Sequence, residues 1–551
     1  MKQVLSFLLY FCIVIISNGQ EIPPEYYKLI NKADSLFVQN QYKKAALTYS
    51  EAMKANNGRM LLNDRYNVAC TWALANYPDS AFYHLDIMVT KTNFSYYSSI
   101  AKDFDLLSLH ADARWKPLLE KVKQNQVETD KKWKINCSSV IDEDIAEIVP
   151  AQIESYQLNL YIDVESKAIK VDGYVNVNFH NNDSINLVLW GKTDIEEINC
   201  NGQNVKYYFD TLSKSPIIYI PDGRKLTVEK VRDTSKKQKL YFKYTCDMSD
   251  VNDWGRSFEN EWIEIGYYTA WYPVNKNSEN FTASSVRIHI DPRYKVSGSG
   301  LVERKDNVWK MTQNWEAYDI VIIASENLKS KKLQVGNTTI ETVYTTFPQS
   351  DIDSVLAEFK YVLDFYTELF GPTGEGDSYS KLVLNPLEGG GGYSRKNYIS
   401  LKSHKFDGSL GCGIAHEMAH FWWNKANSTT WHDWINEAFA EYGMLLYVKE
   451  KWGDRLFESY IEAYKVNSSN SCPIWGIDRA KPEAYTALYE KGSLILNDLQ
   501  QITGYERFFE FVRCILDNHI KTTTDFLNLT QLQLGENMRD WLESKLKMSN
   551  W

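Results

Sequence analysis

The sequence predicts a multidomain chain: an all-α N-terminal domain, an antiparallel β-sandwich-like domain and a mainly α C-terminal domain. Three changes of pattern carry this reading. Before residue 125 apolar residues recur at helical spacing and the pattern repeats; from about 150 to 325 the apolar period is two; after Ser350 it returns to that of a helix. At 551 residues the chain outgrows a single core, because one core seldom extends beyond about 250–300 residues.

Residues 1–19 read as a secretory signal. Lys2 supplies the positive region, Val4 to Ile16 form an apolar run too short to span a bilayer, and Ser17-Asn18-Gly19 offers small residues for cleavage before Gln20. An exported chain, periplasmic or extracellular, follows; a retained signal anchor is the alternative. No later run of about twenty apolar residues exists, so no stable membrane span is expected after cleavage. Small residues do not precede Cys12, which argues against lipid attachment. Cys70, Cys137, Cys200, Cys246, Cys412, Cys472 and Cys514 remain, an odd and widely scattered set that does not resemble a disulfide-stapled scaffold.

In residues 20–125, Ala45, Tyr49 and Ala52 recur as Ala81, Leu85 and Met88 after a shift of 36 residues. This resembles tetratricopeptide repeats, whose period is about 34 residues. Small residues let paired helices approach closely while the larger partner fills the groove. Two repeats, closed by a helix around Trp115 to Val122, make a domain that either binds a partner peptide or caps the rest. The small concave surface of two repeats favours the structural role.

Residues 145–325 form the β-sandwich-like domain. Leu158, Leu160, Ile162 and Val164 alternate with Asn159, Tyr161 and Asp163; Val175, Val177 and Phe179 alternate with Asn176, Asn178 and His180; Val286, Ile288 and Ile290 alternate with Arg287 and His289. Half-buried antiparallel strands explain this, with His180 and His289 on the polar face.

Residues 340–551 form the third domain. Ile352, Val355, Leu356, Phe359, Val362, Leu363 and Tyr366 make one apolar stripe, ended by Gly371-Pro372. Short strands near Lys381 to Leu384 and Tyr398 to Leu401 flank a glycine run and put it at a sheet edge, and from Gly411 onward the pattern is nearly all helix.

The chemistry resides in His416-Glu417-Met418-Ala419-His420 and Asn436-Glu437. A helix turns once in about 3.6 residues, so His416 and His420 share a face and aim two nitrogens at one metal ion. Glu417, rotated about 100° around the axis, reaches a metal-bound water without becoming a ligand. Catalytic zinc sites usually take three protein ligands and leave one position for water, and Glu437 is the candidate third ligand. It would sit on a second helix starting near Trp431 or His432, with Glu441 one turn later able to hydrogen-bond a ligand histidine. Cys412, one turn before His416, reads as a buried helix residue.

HEMAHFWW, WINEAFAEY and YEKGS together resemble the catalytic signature of the aminopeptidase N-like zinc peptidases, the gluzincin family that also contains leukotriene hydrolase. The resemblance covers roughly residues 150 to 545. It implies a thermolysin-like, mainly α catalytic domain behind a β-rich one. It also implies one Zn2+ ion on His416, His420 and Glu437, water activation by Glu417 and oxyanion stabilisation by Tyr489. The large helical C-terminal domain of many relatives has no counterpart before Trp551, so a more open cleft is expected.

Two departures stand out. The interval between His420 and Glu437 is two residues shorter than is usual in the family. The family's Gly-x-Met-Glu-Asn element, whose glutamate grips the substrate α-amine, is replaced by Pro386-Leu387-Glu388-Gly389-Gly390-Gly391-Gly392-Tyr393-Ser394-Arg395. Four glycines suit close approach by an extended peptide; a flexible loop away from the site is the other reading. Glu388 and Glu264 are the carboxylates left as amine anchors. Glu264 matches the family position nine residues before a proline, here Pro273, and its alternative is an ordinary exposed strand carboxylate.

Composition agrees with a globular protein. Hydrophobic residues make up 44% and charged residues 24% of the chain, and a net charge of −10 without a basic run argues against nucleic acid as a partner. The expected function is an exported zinc peptidase of aminopeptidase type acting on a peptide or protein substrate. The alternatives are a zinc endopeptidase with altered recognition of the substrate end, and a protein-interaction module with a vestigial peptidase fold.

Overall fold

The structure is a computed structural model and describes residues 22–131, 149–231, 235–253, 255–275, 280–373 and 379–551. The expected signal at 1–19 and Cys137 lie outside these residues.

The N-terminal region is helical. α1 (Pro24–Val38) pairs with α2 (Tyr42–Ala55), and α3 (Leu62–Leu74) with α4 (Pro78–Lys91). Ala45, Tyr49 and Ala52 on α2, and Ala81, Leu85 and Met88 on α4, are all fully buried. The repeated positions are therefore the seam residues of the second helix in each pair, where small side chains permit close packing. α5 (Tyr97–Ala101) and α6 (Trp115–Asp130) close the region.

The middle region is β-rich. An eight-stranded sheet is built around the strands Gln152–Asp163, Ala168–Asn178 and Lys237–Asp247, with five- and four-stranded sheets beside it. The inward residues Leu158, Leu160, Val175, Val177, Val286 and Ile288 are buried as the alternation predicts. One expectation needs correction, because the sheet is mixed: Gln152–Asp163 pairs antiparallel with Ala168–Asn178 but parallel with Ala283–His289. Alternation reports which face is buried, not strand direction, so sequence could not have decided this.

The C-terminal region begins with a five-stranded sheet whose first strand, Lys329–Val335, lies ahead of residue 340. Its order runs Lys329–Val335, Thr338–Tyr344, Tyr379–Asn385, Tyr398–Lys402, Gly392–Arg395, which leaves Gly392–Arg395 at an edge. α7 (Gln349–Phe370) buries its apolar stripe and stops at Gly371, whose φ of 88° a side chain would disfavour. The remaining helices are α8 (Gly408–Ala419), α9 (Trp434–Trp452), α10 (Asp454–Ser468), α11 (Glu483–Tyr485), α12 (Gly492–Thr503), α13 (Tyr505–Asp517), α14 (Thr523–Leu534) and α15 (Glu536–Lys547). Buried side chains of the N-terminal region run on into this one: Phe94, Tyr97, Trp115 and Val122 share one apolar core with Tyr366, Met418 and Tyr464. No described helix is long and apolar enough to cross a membrane.

Candidate metal centre and active site

α8 starts where the Asp407 side chain accepts from the Leu410 N–H at 2.9 Å, one of the four amide donors a helix start leaves unpaired. It carries His416 and Glu417 and ends at His420. α9 packs against it and carries Glu437 and Glu441. A 3-10 turn, Trp431–Asp433, leads into α9, close to the start predicted.

The shortened interval is absorbed locally. Asn436 accepts from Ala426 N at 3.2 Å and donates to Ala426 O at 3.0 Å and to Asp433 Oδ1 at 2.9 Å. Trp423 stacks on Phe439 at 3.9 Å between centroids. These contacts tie the loop to the first turn of α9, so Glu437 keeps its position.

Glu437 Oε2 lies 3.6 Å from His416 Nε2 and 3.3 Å from His420 Nε2. Around a tetrahedral zinc ion with ligand bonds near 2.0–2.1 Å, neighbouring donor atoms stand roughly 3.3 Å apart. The same Oε2 is buried without a hydrogen bond, an arrangement that costs free energy unless a cation sits there.

The histidine tautomers agree. His416 Nδ1 is 2.7 Å from Glu441 Oε2, and His420 Nδ1 is 3.0 Å from the Trp423 carbonyl. Facing acceptors, both Nδ1 atoms carry the proton of the neutral ring, which leaves both Nε2 lone pairs for the metal. The residues fit one zinc ion.

The carboxylates make this a site that favours positive charge, whether a metal ion or a proton on a histidine. Burial disfavours charge on His416, yet Glu437 and Glu441 overcome it and hold its pKa well above the usual imidazole value. Burial would raise the Glu437 carboxyl, but the two histidines pull it well below the ordinary range. Glu417, 9% exposed, is raised by burial, with His416, His420 and Arg395 opposing. Cys412 is buried, its thiol pushed up to about 12 by desolvation, and it lies 3.9 Å from the Tyr460 hydroxyl, not at the metal.

Tyr489 sits in a π-helical turn, Thr486–Lys491, between α11 and α12. Such turns carry an extra residue and re-aim side chains. Its ring lies parallel to that of His416, with centroids 5.9 Å apart and planes 6° from parallel, and it also stacks on Tyr485. The close approach of this turn needs Gly492: a Cβ there would meet the Ala438 Cβ at 2.6 Å.

Sequence reasoning missed Arg479, because a lone arginine in a loop carries no periodic or motif signal. Its Nε donates to Asp433 Oδ2 at 2.8 Å, its Nη2 donates to the Tyr489 hydroxyl at 3.1 Å, and Nη2 is 3.7 Å from Glu437 Oε1. An oxygen that accepts from Arg479 turns its own proton elsewhere, so Tyr489 is set as a donor. Burial and the Glu437 charge push the Asp433 carboxyl up to about 7, with Arg479 opposing. Tyr219 of the β-rich region stands over Arg479 and bonds the Ser428 carbonyl at 2.7 Å, bridging the two regions beside the metal residues.

The expected substrate-binding residues fare unevenly. Gly392 opens the edge strand that packs on α8, and a Cβ there would meet Leu401 Cδ2 at 2.4 Å and the Ser400 carbonyl at 2.6 Å. Gly389 and Gly391 have φ of 103° and 93°, and Gly391 O accepts from Lys402 N. The sheet-edge placement holds; Gly390 and Glu388 are exposed in the preceding turn.

Glu264 corrects the expectation of an amine anchor facing the cleft. It is fully buried and accepts from Trp262 Nε1 at 3.0 Å, Tyr393 Oη at 2.5 Å, Ser400 Oγ at 2.8 Å and the Asn385 amide. A carboxylate has about four lone-pair sites, and four donors already occupy them. Its work here is to tie the β-rich region to the edge strand. Arg395 on that strand is likewise buried, paired with Asp319 at 2.5 Å and packed among Tyr268, Tyr318 and Tyr393.

Comparison with known proteins agrees with this geometry. Residues 409–551 match the model of the Peptidase family M1 domain. A substrate-bound glutamate-to-alanine mutant of the M1 zinc metallopeptidase from Deinococcus radiodurans is similar in fold, with 18% identity and a TM-score of 0.58 over 73% of this chain and 95% of that one. The non-mutant enzyme from the same organism gives 17% and 0.57 over 73% and 94%. Native leukotriene A4 hydrolase from Saccharomyces cerevisiae gives 16% and 0.56 over 73% and 68%. No curated protein sequence matches. The family match falls on the helices that bring His416, His420 and Glu437 together, so the segment that gathers the candidate metal ligands is the one that is similar to the Peptidase family M1 domain.

Proposed function

We propose that the chain is an exported aminopeptidase that hydrolyses peptide bonds. The observation that carries the chemistry is the buried, unbonded Glu437 Oε2 facing both histidine Nε2 atoms. When bound, zinc lowers the pKa of a coordinated water towards about 7 and polarises the scissile carbonyl. Glu417 takes a proton from the attacking water and delivers it to the leaving amine. Tyr489, held as a donor by Arg479, gives a hydrogen bond to the developing oxyanion. The edge strand from Gly392 gives an extended substrate a sheet edge to add to. The M1 zinc metallopeptidase similar in fold was crystallised with a Tyr-Ser-Ala substrate, which supports a short peptide here.

One observation favours a second reading, that of an endopeptidase. Glu264 has no capacity left for a substrate ammonium, which leaves the exposed Glu388 as the candidate anchor. Hydrolysis of a peptide in free-amine and N-acetylated forms decides between them. Cleavage of the free form alone supports the aminopeptidase, cleavage of both the endopeptidase, and cleavage of neither by zinc-loaded protein sinks the enzyme reading.

Export draws support from Cys472, which is disulfide-bonded, since disulfides persist in oxidising compartments. Cys70, Cys200, Cys246, Cys412 and Cys514 are free thiols. The two helix pairs with their buried Ala45 and Ala81 seams support a tetratricopeptide-like reading of the N-terminal region.

A further inference from the structure

The N-terminal helical region touches the catalytic region close to its metal residues. Ser98 on α5 accepts from Asn467 Nδ2 on α10 at 2.8 Å, and the same amide donates to both Glu490 oxygens at 3.0 and 2.9 Å. Lys102, just past α5, places Nζ 4.0 Å from Glu490 Oε1, and 4.8 and 5.4 Å over the rings of Tyr464 and Tyr460. Tyr464 donates to Glu441, whose other oxygen is 2.7 Å from His416 Nδ1. Glu490 is the neighbour of Tyr489.

We propose that Lys102, with Ser98, is a positioning residue of the metal centre, so that the helical domain helps to hold the zinc ligand His416 and the turn that carries Tyr489. Glu490 is buried, 4% exposed, and a buried carboxylate needs compensation. Among the described residues Lys102 is the cation within ion-pair distance of it. Lys491, next in sequence, turns away to the carbonyls of Cys472 and Met548. The Lys102 side chain is 26% exposed and that of its carboxylate partner 5%. An ion pair from the same helical region to α10, Lys123 with Glu462, is the ordinary kind, with side chains 38% and 41% exposed, and such pairs contribute little. Lys102 instead lies between two rings, one of which supports the partner of a metal ligand. Outer partners of this sort typically alter metal affinity or activity about 10–100-fold when removed from direct contact with a ligand; Lys102 acts one step further out, at the lower end.

The inference rests on the peptidase reading for its kinetic arm only. The test compares full-length wild type, Lys102→Met and Lys102→Arg for zinc loss to a chelator, for kcat and KM, and for Tm. Lys102→Met is expected to lose zinc about tenfold more readily and to lose kcat about tenfold at unchanged KM, with Lys102→Arg recovering most of both. If both quantities stay within about twofold of wild type, whatever happens to Tm, Lys102 is packing alone and the proposal falls. Should Lys102→Met fail to fold, Ser98→Ala is read in the same way, and unchanged zinc retention overturns the proposal. If the wild type cleaves no peptide, the peptidase reading fails while the zinc arm still judges this one.

Discussion

Replacing Glu441 perturbs the metal centre without touching a metal ligand. Its Oε2 meets His416 Nδ1 at 2.7 Å, and its Oε1 receives the Tyr464 hydroxyl. The first is a charge-assisted hydrogen bond, of the kind that contributes about 1.5–3 kcal/mol. In Glu441→Gln the amide oxygen still accepts from Nδ1, so the charge alone is lost and the lower figure applies. Glu441→Ala removes the acceptor and strands Tyr464, which brings the upper figure into play. With about 1.4 kcal/mol per tenfold, the zinc dissociation constant should rise about tenfold for the glutamine and about 100-fold for the alanine. Competition against a chromophoric chelator measures both. Equal zinc retention in Glu441→Ala and wild type would refute the argument, because His416 would then need no partner to present Nε2.

Further outcomes follow from other contacts. Glu417→Gln should keep its zinc and lose kcat by about 10²–10⁴-fold, as measured by metal content beside peptide hydrolysis; retained activity would assign the base elsewhere. Tyr489→Phe should lower kcat about 10²-fold, and because Arg479 acts through that hydroxyl, adding Arg479→Gln should lower it little further; additive losses in the double-mutant cycle would separate the two residues. Gly492→Ala should cost about 1–3 kcal/mol in denaturant unfolding, since its Cβ would stand 2.6 Å from that of Ala438; an unchanged midpoint would show that the two helices can part. Lys381 is buried and burial lowers it to about 8 from 10.5. Unfolded chains therefore bind more protons between pH 8 and 10.5, and Lys381 raises stability as pH climbs through that window. Lys381→Met should lose that rise in unfolding measured from pH 8 to 10, and identical slopes would contradict the assignment.

Much of the site was legible because helix geometry is local. His416, Glu417, His420, Glu437 and Glu441 sit at spacings that a 3.6-residue turn converts directly into a common face, and the structure brings them together as spaced. Ala45 and Ala81 were legible for the same reason. Residues whose role depends on contacts far along the chain were not. Arg479 reaches Asp433 across 46 positions and Lys102 reaches Glu490 across 388, and neither leaves a periodic trace. Glu264 misled because its residue type and distance from Pro273 suggested an amine anchor. The donors that consume it, Asn385, Tyr393 and Ser400, come from another region of the chain. Strand direction in the β-rich region was hidden too, since a period of two is the same for parallel and antiparallel pairs.

X-ray absorption at the zinc edge, on protein carrying one equivalent of zinc, tests the metal centre most directly. The account predicts two imidazole nitrogens, one carboxylate oxygen and one water oxygen at about 2.0–2.2 Å, with an imidazole signal lost in His420→Ala. A spectrum showing sulfur ligands, or one unaltered when His420 is removed, would contradict it.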